Sequence, residues 1–190
     1  EVMKFANNDG AVRRFVRKLR KQVPGPVLAC YEAGPTGFAL LRLLLGLDVD
    51  CQVIAPSLIP AKPGERVKTD RRDAIKLAEL LRADLLTEVH PPTPEQEAVR
   101  DLCRAREDAV RDKISAKHRL SKFLLRRGLH CSSKAWGQVW WKWLRKLKSE
   151  FKCEADRWVL ESYISAVEQT EERIASLESK LERIAEDEPY

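Results

Sequence analysis

No stretch of the chain is apolar for long enough to cross a bilayer. The longest run, residues 38–47, is interrupted by Arg42 and Gly46 and falls short of the roughly 20 residues a helical span needs, so no membrane partner is expected. Cysteine chemistry is equally thin. Cys30, Cys51, Cys103, Cys131 and Cys153 are odd in number and scattered, without a Cys-x-x-Cys pair, and only three histidines accompany them. That pattern argues against a disulfide framework or a zinc site and for reducing cytoplasm. His118 and His130 have no ligand spacing and read as surface residues or phosphate contacts. Internal repeats and low-complexity tracts are absent. So is an initiator methionine: the chain opens on Val2-Met3-Lys4-Phe5-Ala6, which reads as a strand already under way, and residues are expected to be missing upstream.

What is present suffices for one packed domain with an appendage, since 44% of the 190 residues are hydrophobic. The formal charge of +6 is a small difference between large opposing counts, so its placement matters more than its sum. Residues 100–127 carry ten Lys/Arg against four Asp/Glu, and residues 134–152 carry six against one. Residues 154–188 reverse this, with four against eleven. A basic surface that attracts phosphates is therefore expected beside an acidic last helix that repels them.

Coarse patterning divides the chain near its proline cluster at residues 91–94. Before it, Asn8 or Asp9 caps a helix whose apolar face is Val12, Phe15, Val16 and Leu19, and Pro24-Gly25-Pro26 ends it. Residues 27–32 and 51–55 read as buried strands, separated by a helix over 38–45. The resulting β-α-β-α-β order implies an α/β domain with a parallel or mixed sheet, in which ligands bind beyond the carboxyl ends of the strands. Glu32 falls at such an end. A further helix runs from Thr69 to about Leu86, with Ala74, Leu77, Ala78, Leu80 and Leu81 on its buried side.

After the prolines everything reads as helix. Residues 95–127 carry an apolar stripe of Val99, Leu102, Cys103, Val110, Ile114, Leu120 and Leu124. Their other faces are basic, and Arg104, Arg111, Lys117, Arg119, Lys122, Arg126 and Arg127 are candidate contacts to a nucleic-acid backbone; an ordinary solvated face is the competing reading. Trp136, Trp140, Trp143 and Leu147 recur at helical spacing and read as a buried face. Trp141, between cationic neighbours, is the better candidate to stack on an unpaired base. In the last helix Leu160, Tyr163, Val167, Thr170, Ile174, Leu177, Leu181 and Ile184 fit a coiled-coil seam. A homodimer or higher oligomer is expected from it, although the helix over 95–127 of the same chain is an alternative partner.

The most informative string is Lys68-Thr69-Asp70-Arg71-Arg72-Asp73-Ala74. Asp70 and Asp73 lie three apart on one helical face, and with Glu32 they suit a hard cation that leaves coordination positions for phosphate oxygens. Spacing alone equally fits two aspartates capping a helix N-terminus. Lys68, Arg71 and Arg72 interleave with the carboxylates and are placed to contact phosphates.

Together with Tyr31-Glu32-Ala33-Gly34-Pro35-Thr36-Gly37, this string resembles the paired signature of DEDD-type insertion-sequence transposases, recombinases described as bridge-RNA-guided. The resemblance runs the length of the chain. It implies a RuvC-like, RNase H-type mixed-sheet domain over residues 1–92, incomplete at its N-terminus, and a helical region with a coiled coil over 93–190. It further implies that Glu32, Asp70 and Asp73 are catalytic ligands of Mg2+ or Mn2+, and that DNA and a structured guide RNA are partners of a cytoplasmic, nucleoid-associated protein. The activity implied is metal-dependent strand cleavage and exchange in transposition. Two parts of the family pattern are missing: an initial Gly-x-Asp strand bearing the first acid, and a second domain with a nucleophilic serine, for which neither Ser132 nor Ser133 is a substitute. On its own, this stretch is expected to be inactive. The rival readings are a stand-alone RuvC-type nuclease and a non-catalytic nucleic-acid-binding dimerisation module.

Overall fold

The computed structural model describes residues 4–60 and 69–187. They belong to two compact units, the first ending at Pro91 and the second beginning at Pro92.

In the first unit Asn8 stands in extended backbone and its side chain accepts from the Ala11 N–H, which starts α1 (Asp9–Gln22) by satisfying an otherwise orphaned donor. The chain continues through β1 (Leu28–Glu32), α2 (Ala39–Leu45), β2 (Asp50–Ile54) and, after a short turn at Pro56–Leu58, α3 (Asp70–Arg82). β1 and β2 are parallel, with Leu28 opposite Asp50 and Glu32 opposite Ile54. A parallel pair needs a crossover, which α2 supplies. Val12 and Val16 of α1 close over Leu41, Leu44, Val49, Cys51 and Val53 to form the core. Residues 87–89 run antiparallel along the far side of β2, where the Ala55 N–H donates to Thr87 and the Val89 N–H to Val53.

Three expectations are corrected. Residues 4–6 form no strand, and Val2 and Met3 lie outside the described residues. The described sheet is accordingly a parallel pair rather than three strands. α3 stops at Arg82, and none of its residues is fully buried: Ala74 and Ala78 are exposed, and Leu77, Leu80 and Leu81 only half-buried. α3 packs against β1, and a sheet of two described strands offers too little surface to bury its alanines and leucines.

In the second unit a reciprocal capping box, with Thr93 accepting from the Gln96 N–H and the Gln96 side chain from the Thr93 N–H, starts α4 (Pro94–Arg126). Gly128, at φ 64°, ends it: the Leu129 N–H returns to Leu124 and the Gly128 N–H to Leu125, the bond pair of a Schellman stop. α5 (Gln138–Glu150) and α6 (Glu154–Asp187) follow. Ala116, Leu120, Phe123 and Leu124 of α4, Trp140, Leu144 and Leu147 of α5, and Leu160 and Val167 of α6 form one core. The stripe anticipated on α4 holds at buried Leu120 and Leu124 and at half-buried Val99, Leu102 and Val110, but Cys103 and Ile114 are exposed, whereas Ala109 and Ala116 are buried. Small residues let α6 approach closely where isoleucine would hold it off. Trp136 precedes α5 instead of opening it.

Two outcomes are expected. Leu160, fully buried, should cost about 2–5 kcal/mol when truncated to alanine, and Gly128→Ala about 1–2 kcal/mol because its backbone is left-handed, both read from denaturant midpoints. Burial, reinforced by Cys30 and Glu88, pushes the Cys51 thiol up to about 11. The folded pKa thus lies above the ordinary value, so the contribution is intact below about pH 9 and is lost as pH rises towards 11. At pH 8 a thiol reagent should label exposed Cys103 and Cys153 and leave Cys51 unmodified until denaturant is added.

Candidate functional site

One acidic string closes β1 and the other opens α3, two elements that pack against each other. Glu32 is the last residue of β1 and is exposed. The loop after it is tied down twice, by the Tyr31 hydroxyl donating to the Gly37 carbonyl at 3.0 Å and by the Ala33 N–H donating to Ile54 at 2.8 Å. Tyr31 and Gly37 therefore hold the turn that follows Glu32, and Gly37 does so at φ 62°, where a side chain would be strained. Sequence spacing carries no sign of this bond, because a hydroxyl reaching a carbonyl six residues away leaves no periodicity.

Thr69 caps α3, its hydroxyl accepting from the Arg72 N–H, and Asp70 and Asp73 occupy the first turn. Asp70 is fully displayed and meets Lys4 at 3.3 Å, while Asp73 is half-buried. α3 packs against β1, so the three carboxylates belong to neighbouring elements. Even so, among the described residues no group of three or more His, Cys, Asp or Glu comes close enough together to hold a metal ion. The donors present do not by themselves fit a hard cation. Arg71 and Arg72 are exposed beside the aspartates, and Lys68 lies outside the described residues.

The basic candidates of α4 separate into two groups. Arg104 pairs with Asp101 at 2.8 Å and Arg111 with Asp108 at 2.8 Å, both within the helix. Lys117 meets Glu171 of α6 at 3.0 Å. Arg127 is held by Asp156 and lies over the Phe123 ring, 3.9 Å from its centroid. Arg119, Lys122 and Arg126 are exposed and form no ion pair with the described residues. Their spacing of three and four puts them on one side of α4. The acidic helix is therefore not simply a repelling surface: part of its charge neutralises part of the basic one. Arg106 with Glu178 at 2.5 Å and Arg173 with Asp112 at 3.3 Å add to the same antiparallel seam.

The coiled-coil positions fall on that seam. Leu160, Val167 and Ile174 are buried in α6, which packs along α4 of the same chain. At Thr170 the hydroxyl returns to the carbonyls of Ala166 and Val167, which satisfies the one polar residue in the series.

A family model for DEDD transposases of the IS110 type, described as "Transposase", matches residues 1–127. The chain is 44% identical over 140 residues to a "Putative transposase y4qE" of Sinorhizobium fredii (strain NBRC 101917 / NGR234), covering 73% of this chain and 36% of that protein. It is 37% identical over 187 residues to a "Transposase for insertion sequence element IS1533" of Leptospira borgpetersenii, covering 97% of this chain and 53% of that protein. The chain thus spans about half or less of the length of these curated relatives.

Since Asp70 and Asp73 add negative charge to a helix N-terminus, each should contribute about 0.3–1 kcal/mol. Asp70→Asn and Asp73→Asn are expected to melt within a few degrees of the parent. Tyr31→Phe should lose about 1 kcal/mol with its hydrogen bond, measured in the same thermal scan.

Proposed function

Because the chain belongs to the DEDD transposases of insertion sequences, we propose that it forms the front part of an enzyme that cuts and rejoins DNA during transposition. The observation that carries this reading is the family match over residues 1–127, which spans both acidic strings and the whole of α4. In this reading the first unit is the RuvC-like, RNase H-type portion. Glu32, Asp70 and Asp73 would contribute carboxylates to a magnesium or manganese site only when drawn closer together than they stand here and joined by a further oxygen donor. Such an ion would supply Lewis-acid charge at the phosphate, and the residues of this chain would hold it and balance its surroundings, with Arg71 and Arg72 beside the acids.

DNA and a structured guide RNA are the proposed partners. Arg119, Lys122 and Arg126 are the proposed backbone contacts on α4, because they are the members of the basic set left without an internal anion. Arg104, Arg111, Lys117 and Arg127 become secondary contacts, since their charge is already partly spent. Self-association through the last helix is retained only for what the α4 pairing leaves over: Leu177, Leu181 and Ile184 remain half-buried. A cytoplasmic, nucleoid-associated location follows from the same reading, and no described helix is long and apolar enough to cross a membrane.

Two measurements test this. In a complete transposase carrying this chain, Asp70→Ala with Asp73→Ala should abolish excision while leaving nucleic-acid binding in place; excision that survives would return the aspartates to a purely capping role. Replacing Arg119, Lys122 and Arg126 by glutamine should lower the salt dependence of oligonucleotide binding by about one per residue removed. The same variant should lose any structured RNA that co-purifies with the parent, and an unchanged RNA profile would remove α4 from the interface.

A further inference from the structure

A cavity lies in the second unit between α5 and α6. It encloses about 320 Å³ and is lined by Gln138, Trp141, Arg145, Glu168 and Glu171. The tryptophan ring is fixed from behind: Trp136 meets it at 6.0 Å and 64°, and Trp140 at 5.3 Å and 82°, both edge-on. Lys117 stands 4.8 Å from the Trp136 ring centroid, and Trp136 itself has a left-handed backbone at φ 69°. These braces orient Trp141 without any ligand, so little ordering remains to be done on binding.

The polar rim is equally specific. Arg145 lies 5.9 Å from the Trp141 centroid and is held by Glu168 Oε1 at 3.3 Å. Lys117 is held by Glu171 Oε1 at 3.0 Å. Each pair uses one carboxylate oxygen, and the second oxygen of each glutamate forms no hydrogen bond with the described residues. The Gln138 amide is likewise unused. The two cations and two carboxylates balance, so the cavity offers no net attraction to a phosphate. It offers an aromatic wall, a guanidinium plane and acceptors at the edge.

We propose that this cavity is a slot for one unpaired guanine base. A planar ring inserted between Trp141 and Arg145 needs about 7 Å for two contact layers of about 3.5 Å each, slightly more than the present 5.9 Å. Arg145, two-thirds exposed, can give that distance. Guanine is the base whose Watson–Crick edge presents an adjacent ring N–H and exocyclic amine, a donor pair that one glutamate accepts through its unused oxygen and the remaining lone pair of the oxygen that holds the cation. Stacking on a braced tryptophan supplies affinity that does not depend on phosphates, and the carboxylates supply the choice of base. The slot deepens the nucleic-acid reading given above and rests on it for its biological source, a single-stranded segment; its chemistry is testable without that source.

The test uses the full chain and free mononucleotides, followed by the indole N–H signal of Trp141, which Trp141→Phe assigns by its disappearance. Guanosine monophosphate should shift that signal saturably, and inosine monophosphate, lacking the exocyclic amine, should bind roughly tenfold more weakly or worse. Glu168→Gln and Glu171→Gln should each narrow the gap without changing the melting temperature by more than a few degrees. Absence of any shift, or equal affinity for the two nucleotides, overturns the proposal. So does a Trp141 shift produced by a methylated-lysine peptide and not by guanosine, which would make the slot a protein site. A guanosine shift that persists while oligonucleotides fail to bind would uphold the slot and sink the nucleic-acid role of α4.

Discussion

The pairing of α4 with α6 is the contact on which the second unit depends. Two helices of 33 and 34 residues lie antiparallel, with buried alanine, leucine and valine along them and Arg–Glu and Arg–Asp pairs between them. The apolar strip supplies the stabilisation, since exposed ion pairs contribute only about 0–1 kcal/mol each. The charges instead fix direction and register. Arg106 opposite Glu178, Asp112 opposite Arg173 and Arg127 opposite Asp156 cannot all form if α6 slides or runs the other way. α5 then closes the third side through Trp140, Leu144 and Leu147, and the aromatic cluster around Trp141 exists because α5 is pinned there.

This pairing also explains which parts of the second unit were legible in the sequence. The helices themselves were, because the proline cluster at residues 91–94 precedes α4, an apolar stripe at helical spacing runs along it, and the heptad series marks one face of α6. The partner of that face was not. A periodic apolar strip states that something covers it, and a second chain or another helix leaves the same trace. Charge segregation was legible as a pattern and its meaning only half so, since opposite charges a long way apart in sequence read as separate surfaces until folding brings them together. Ala109 and Ala116 went unread in favour of larger Ile114, because close helix approach favours small residues that hydropathy ranks low.

In the first unit the caps at Asn8 and Thr69 and the two parallel strands follow directly from local sequence. What the sequence could not convey is how incompletely these elements cover one another. α3 brings a helical face of alanine and leucine to a sheet of two described strands, and the result is half-burial where full burial was expected. The carboxylates share this condition. Asp70 and Asp73 sit where any helix would welcome them, and their candidacy as ligands rests on the family's paired strings rather than on convergence within this chain.

The length of the α4–α6 hairpin has its own consequence. At 1.5 Å per residue, the 33 residues of α4 extend about 50 Å, the length of about 15 base pairs of duplex. Its two sides are braced along much of that span, so the hairpin is a stiff spacer rather than a tether. Arg119, Lys122 and Arg126 lie near one end, whereas Arg106, Glu178 and the terminal turns of α6 lie towards the other. Whatever is held at one end is kept from whatever meets the other by a distance that sequence length sets: each helical turn inserted into or removed from both arms would change it by about 5 Å.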